Sequence, residues 1–408
     1  MMNRLLSPIF MFGFGLIVIN CIAFLIMTIT GELIGDVGGF SVRSVEVLTI
    51  SLCVVVAVYF FYLFALFYSF ERVRVFRISF EIGPNGEDLL SYLLLVLQVL
   101  FLVFSLVNGV NVSGSGNNTT NSMFSLFWVF VSPDLLFIIY YGVFRRHRLF
   151  KFNLATALLS GLLRGRADIF LFVIFMELSK LYVENKLSFK KVLIWSLSII
   201  SLYPFLLIGK FTFRLYFGGD SGDLLQDASM LLEAKNSQGN IVFEGLVHVI
   251  GRLQLVSLVN EIYTFRDTLQ QMYLSNQFFP FWKEGIHGII FDALAGNSRN
   301  MPLGTAFTAV GNFGWSFEVG DWNTNPGLAG WFVLLPLHAS FLIFYTSALC
   351  FLSFLLHKKM PVSPISRYSL WYCWAFLLMP GWLGVFVLFI LSQVVFLSLV
   401  YLIKLCSR

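Results

Sequence analysis

The sequence predicts an all-α polytopic membrane protein of about ten (10–12) transmembrane helices, interrupted by one long polar insert that is itself partly helical. Three observations carry that prediction. Hydrophobic residues make up 58% of the 408 and charged residues only 12%, against about 25% charged in a soluble domain. Mean hydropathy is +0.82. The apolar residues fall in runs close to the length of about 20 that a spanning helix needs. The chain divides accordingly into N-terminal transmembrane helices over 1–211, the insert over 212–327, and C-terminal transmembrane helices over 328–408.

The runs, in order, are Leu6–Thr30, Glu46–Phe70, Leu89–Gly109, Met123–Phe144, Phe152–Leu163, Ala167–Leu181, Val192–Phe211, Leu328–Leu356, Tyr368–Pro380 and Gly381–Ile403. The fifth and ninth are too short to cross unaided and are expected to be bent or partly extended. Arg4 precedes the first run with no small-residue cleavage site, which reads as a retained helix. Within the insert, Ile241–Glu261 is apolar enough to cross. If it crosses, a second crossing must follow before Gly327. An interfacial or re-entrant helix is the expectation, because polar backbone at membrane depth needs protein or a water-filled cavity around it. No internal repeat is evident, which counts against an inverted-repeat transporter. The five cysteines show no metal-ligand spacing.

Basic residues set the orientation. Seventeen of 27 fall on one side: Arg4; Arg72, Arg74 and Arg77; Arg145, Arg146, Arg148 and Lys151; Lys180, Lys186, Lys190 and Lys191; Lys358, Lys359, Arg367, Lys404 and Arg408. That side is expected to be the cytoplasm, with both termini there. The insert then faces outward. It holds eleven acidic and six basic residues, a net of −5, against +10 for the remainder.

Several residues could carry chemistry at the outer surface. Arg164, Arg166 and Asp168 separate two apolar runs in GLLRGRADIF. Charges near membrane depth usually face a cavity or a partner. Either the arginines grip the phosphates of a lipid-linked donor, as the guanidinium fork suits, or they snorkel and pair with Asp168. Glu244, His248 and Arg252 are spaced four apart and form one stripe on a helix. Glu244 or His248 could take the proton of an attacking hydroxyl, with Arg252 on a leaving phosphate. The plain alternative is a surface helix with i,i+4 charge pairs. Arg214, four residues after Lys210, is a phosphate contact or a snorkelling anchor. Arg299 and Arg266 are weaker phosphate candidates.

Asp220 and Asp223, and Glu318 and Asp321, have spacings that could bind a divalent cation, although paired loop carboxylates are usually just solvated. A site without metal or cofactor, in which arginine does the electrostatic work, is favoured. Asp321 and Glu318 are second candidates for the base. Trp322 and Trp315 suit either sugar stacking or the interfacial belt, and Trp331 suits the belt.

These features together resemble the Wzy-type O-antigen polymerase family of bacterial oligosaccharide repeat-unit polymerases. The pattern is ten to twelve spans, cytoplasmic termini and one large late periplasmic loop. GLLRGRAD resembles the arginine-bearing stretch of an earlier outward turn, and Asn323 to Trp331, NTNPGLAGW, resembles the Pro-Gly entry to the next span. The resemblance implies a bacterial inner-membrane glycosyltransferase of polysaccharide and lipopolysaccharide biosynthesis, with a membrane fold related to the GT-C class and to O-antigen ligases. Its substrates would be undecaprenyl-diphosphate-linked oligosaccharides, donor and acceptor, among membrane lipids, and a chain-length regulator would be a possible partner. Ligases carry a histidine-containing motif in their periplasmic loop; His248 stands in a different setting. A lipid-linked oligosaccharide flippase and an O-antigen ligase are the alternatives. No nucleic-acid role is expected.

Overall fold

A computed structural model describes residues 7–74, 82–112, 123–166, 168–195, 209, 212, 247, 249–296, 300–311, 324–325, 327–361 and 363–406. The main helices are α1 (Pro8–Thr30), α2 (Val45–Arg72), α3 (Pro84–Asn108), α4 (Met123–Phe130), α5 (Pro133–Phe144), α6 (Phe150–Leu163), α7 (Asp168–Val183), α8 (Val256–Thr264), α9 (Arg266–Leu274), α10 (Ile286–Leu294), α11 (Leu303–Gly311), α12 (Gly327–Leu334), α13 (Ala339–Lys358), α14 (Ser366–Cys373, continued by a π turn, Trp374–Leu378) and α15 (Leu383–Cys406). Two isolated bridges, Glu32 with Ser41 and Phe278 with Met301, are the only extended pairings among the described residues. The protein is therefore all-α.

Local chemistry sets the helix ends. Proline leads α1, α3 and α5, where its missing N–H costs nothing. The Ser44 hydroxyl accepts from the Val47 amide at the start of α2. Among the described residues six helical stretches are long and apolar enough to cross a membrane: α1, α2, α3, Phe124–Phe144, Pro336–Lys358 and α15. This is a multi-pass membrane protein.

Two expected spans are not single helices. The fourth breaks between α4 and α5, before Pro133, and the eighth breaks between α12 and α13, at Pro336. Proline removes an amide donor and its ring clashes with the preceding turn. The seventh, Val192–Phe211, is helical over 189–195 and otherwise lies outside the described residues.

The ninth, short as expected, sits at the centre of the bundle. In α14 and its π turn, Tyr368, Trp371, Tyr372 and Trp374 are all buried, and α14 packs on α1, α5, α7 and α13. Trp371 Nε1 donates to the Leu63 carbonyl at 3.1 Å. Leu63 lies in the π turn of α2, where the regular ladder is interrupted. A Cβ on Gly142 of α5 would stand 2.7 Å from Ser369 Oγ, so α5 and α14 approach as closely as small residues permit.

α8 is buried along its length, from Val256 to Ile262, and packs on α1, α2 and α12. The chain reaches it through a break at Gln254 and Leu255. The Leu255 amide donates to Asn20 Oδ1 at 2.9 Å, near the middle of α1. Gln254 Nε2 donates to the Ile34 carbonyl at 3.2 Å. Non-helical backbone is thus satisfied by neighbouring protein, as membrane depth demands. Of the expected helix Ile241–Glu261, residues 241–246 and 248 lie outside the described residues.

The basic residues that follow α5 (Arg145, Arg146, His147 and Arg148) and Lys180 of α7 meet the start of α3 and residues 361 and 363–365 at one end of the bundle, around a cavity of about 980 Å³ lined by Asp88, Arg145, Arg146, Arg148, Lys180 and Pro364. Acidic side chains stitch this end together. Asp88 binds His147 and Arg148 at 2.8 and 2.6 Å, and Glu177 takes both Arg145 and Tyr141. Lys186, 2.9 Å from Glu184, holds that carboxyl below its ordinary range.

Candidate functional site

α6 starts at the basic end and has 14 residues, about 21 Å at 1.5 Å each. A bilayer core is about 30 Å thick. α6 is therefore too short to cross by itself, and α7 returns the chain to the basic end. Gly165, at φ +68°, makes the reversal possible. The Arg166 amide closes it on the Gly161 carbonyl at 2.7 Å.

That turn carries three charges, and a fourth meets them from α5. Arg164 is 1% exposed. Its Nη2 donates to Asp134 Oδ1 at 2.7 Å and its Nε to the Ser160 hydroxyl at 3.1 Å. The guanidinium lies over the Phe101 ring at 4.8 Å, a cation–π contact. Arg164 Nη1 is buried and makes no hydrogen bond.

Arg166 bridges two carboxylates. Nη1 donates to Asp134 Oδ2 at 2.8 Å, and Nη2 and Nε donate to the Asp168 carboxylate at 2.5 and 3.2 Å. Its side chain is 39% exposed and that of Asp168 56%. The Tyr372 hydroxyl donates to the Asp168 carbonyl at 3.1 Å, tying the turn to α14. Two arginines and two aspartates balance in formal charge. Arg164 is sealed, Asp134 is 24% exposed, and the outer pair is more open still.

Beside the quartet lies a cavity of about 630 Å³. Its wall is largely apolar, from Phe101, Trp128, Phe172, Phe376, Trp382 and Leu388, with Arg164, Arg166, Asp134 and Asp168 at its charged end. A hollow of this build matches in polarity a molecule with one charged end and one apolar end. Asp168 is the most exposed member of the quartet.

The sequence singled out Arg164, Arg166 and Asp168, and the fold joins them. It also offered pairing with Asp168 as the alternative, and that pair is present. Asp134 was missed. Its signal was an acid after Ser-Pro inside an otherwise apolar run, VSPDLLF, since such an acid usually marks a partner or a path.

Arg252 is elsewhere. Its Nη1 lies 2.7 Å from Asp36 Oδ1 and its side chain is 45% exposed. Gly35 and Gly251 bring these two segments together, since a Cβ on Gly35 would stand 2.5 Å from the Gly251 carbonyl oxygen. Arg252 is not among the cavity's described lining. Glu244, His248, Asp321, Arg214, Arg299 and Trp322 lie outside the described residues, as do Lys210, Asp220, Asp223, Trp315 and Glu318. Trp331 corrects the belt reading: it is 1% exposed and packs on Phe281 and Phe278 at 5.6 and 6.3 Å. It belongs to the core and does not face lipid. Among the described residues no cluster of three His, Cys, Asp or Glu could hold a metal.

The architecture defines a multi-pass, all-α membrane protein with a charged, partly open turn beside an apolar hollow. Comparison with known proteins adds nothing to that class: no family model, no curated protein and no solved structure matches the chain.

Proposed function

We propose that the protein is a repeat-unit polymerase of the Wzy type, with about ten spans, a GT-C-related membrane fold, and both termini on the cytoplasmic side of a bacterial inner membrane. It transfers a glycan from undecaprenyl diphosphate to the non-reducing end of another lipid-linked repeat at the outer leaflet. The acceptor hydroxyl attacks the anomeric carbon of the donor sugar. The bond from that carbon to the diphosphate oxygen breaks, and undecaprenyl diphosphate leaves. The hydroxyl proton goes to a carboxylate or imidazole of the outer segment, for which Glu244, His248 and Asp321 are the candidates.

The observation that carries the reading is the Arg166 guanidinium, open at the charged end of an apolar-walled cavity. A polyprenyl diphosphate has that polarity. A preorganised cation beside a departing diphosphate stabilises the charge that develops there. Arg164 has a different part in this proposal. Buried against Phe101, it fixes Asp134, which in turn aims Arg166.

Purified protein incubated with lipid-linked repeats alone is expected to yield a ladder of products. No ladder, together with movement of the substrate across liposomes, would identify a flippase. Transfer only to a lipid A core acceptor would identify a ligase.

A further inference from the structure

α10 is built inside out. In helix Ile286–Leu294 the one Asp, Asp292, is buried and pairs with Lys283 at 2.9 Å. Ile289, Ile290, Phe291 and Leu294 are 43%, 46%, 56% and 84% exposed. A helix against water places its acid outward and its apolar face on the core; of the polar side chains of α10 only His287, in the first turn, is exposed. Four large apolar side chains on nine residues are stable outward only where the surroundings are themselves apolar.

The neighbours say what those surroundings are. The segment leading into α10 lies along the first turns of the spanning stretch Pro336–Lys358. Phe281 packs on Phe341 at 5.5 Å, Trp282 on Phe341 at 5.3 Å, and the Tyr345 hydroxyl is 3.1 Å from His287 Nε2. Tyr345 is seven residues past His338, roughly 10 Å of helix. On that stretch Leu337, Phe341 and Phe344 are 96%, 42% and 71% exposed, as the lipid face of a spanning helix is. α10 starts beside that ridge, through His287 and Tyr345. At its start, Gly285 touches Gly384 of α15, where a Cβ would stand 3.1 Å from the facing Cα, so α10 is anchored to a second spanning helix.

We propose that α10 is a monotopic helix lying in the bilayer interface, with Ile289, Ile290, Phe291 and Leu294 in the hydrocarbon of a lipid leaflet. The Lys283–Asp292 pair is its device for entering lipid, since it neutralises the helix's one acid on the protein side. Lys283 also stands 4.9 Å over the Phe291 ring. This inference is independent of the glycosyl-transfer reading, because it concerns where the outer segment rests whatever it catalyses.

The test uses the full-length protein in phosphatidylethanolamine–phosphatidylglycerol nanodiscs that contain a phospholipid with a diazirine on its acyl chain. After irradiation, adducts are mapped by mass spectrometry. Adducts on residues 289–294 at a yield within about twofold of those at Phe341 and Phe344 support the proposal. Adducts at Phe341 and Phe344 but none on 289–294 overturn it. In that event a water-soluble carbene probe separates two causes: labelling of 289–294 places the face in water, and protection places it against a second protein. Leu294→Glu, scored in the same preparation, is expected to lower acyl-chain labelling of 289–294 at least threefold while Phe344 labelling is unchanged.

Discussion

At the scale of the residue, the two arginines of one turn are not equivalent. Arg166 is open, and its loss removes a charge from the cavity while leaving the Arg164–Asp134 pair in place. Arg166→Ala is expected to abolish polymer while protein level and apparent melting temperature stay near wild type, read by polysaccharide ladder and fluorescence-detected gel filtration. Arg166→Lys is expected to fail as well, because an ammonium cannot reproduce the fork that spans Asp134 and Asp168. Arg164→Ala is a folding defect first. It leaves a carboxylate without its inner partner, which costs about 3 kcal/mol, the low end for a broken buried pair because Asp134 is 24% exposed. A large drop in melting temperature for Arg164→Ala, with little change for Arg166→Ala, is the signature. Equal drops would refute the division of labour.

Arg252 offers a complementary prediction. Its pair with Asp36 is half exposed, so it contributes at most about 1 kcal/mol. Arg252→Ala is expected to fold and to make no polymer. If Asp36→Asn has the same effect on polymer, Arg252 acts only by pinning its helical stretch to the turn at 35–37.

At the scale of the element, close helix contacts hold the site. α5 carries Asp134 at one end and packs through Gly142 on α14, which carries Tyr372 beneath Asp168. Gly142→Leu is expected to lower stability by about 1–3 kcal/mol through overpacking, seen as a lower melting temperature and partial loss of polymer. An unchanged melting temperature would mean that α5 and α14 do not set each other's position. The breaks matter as much as the packing. Pro133 starts α5 with Asp134 in its first turn. A continuous fourth helix would place that carboxylate differently relative to Arg164.

At the scale of the whole molecule, charge and length place the parts. The basic cluster 145–148 and Lys180 of α7 line one cavity, and the short α6–α7 hairpin starts and ends beside it. With that end in the cytoplasm, reporters fused after residue 408 are expected to be active only inside, and reporters inserted within 227–240 only outside. Activity of both reporters on one side would break the topology and with it the outer-leaflet reaction.

The sequence alone determined the membrane class, the positions of most apolar helices and the charged turn at 164–168, because bilayer thickness and the cost of buried charge leave few alternatives. It also marked Phe152–Leu163 and Tyr368–Pro380 as too short. Tertiary structure decided what the short runs do: one ends in a turn whose arginines pair with Asp134 of α5, and the other is wrapped by α1, α5, α7 and α13. Only folding could join Asp134 to a turn thirty residues away, seat Trp331 in the core and turn Asp292 inward, since each depends on which face another helix presents and not on spacing along the chain.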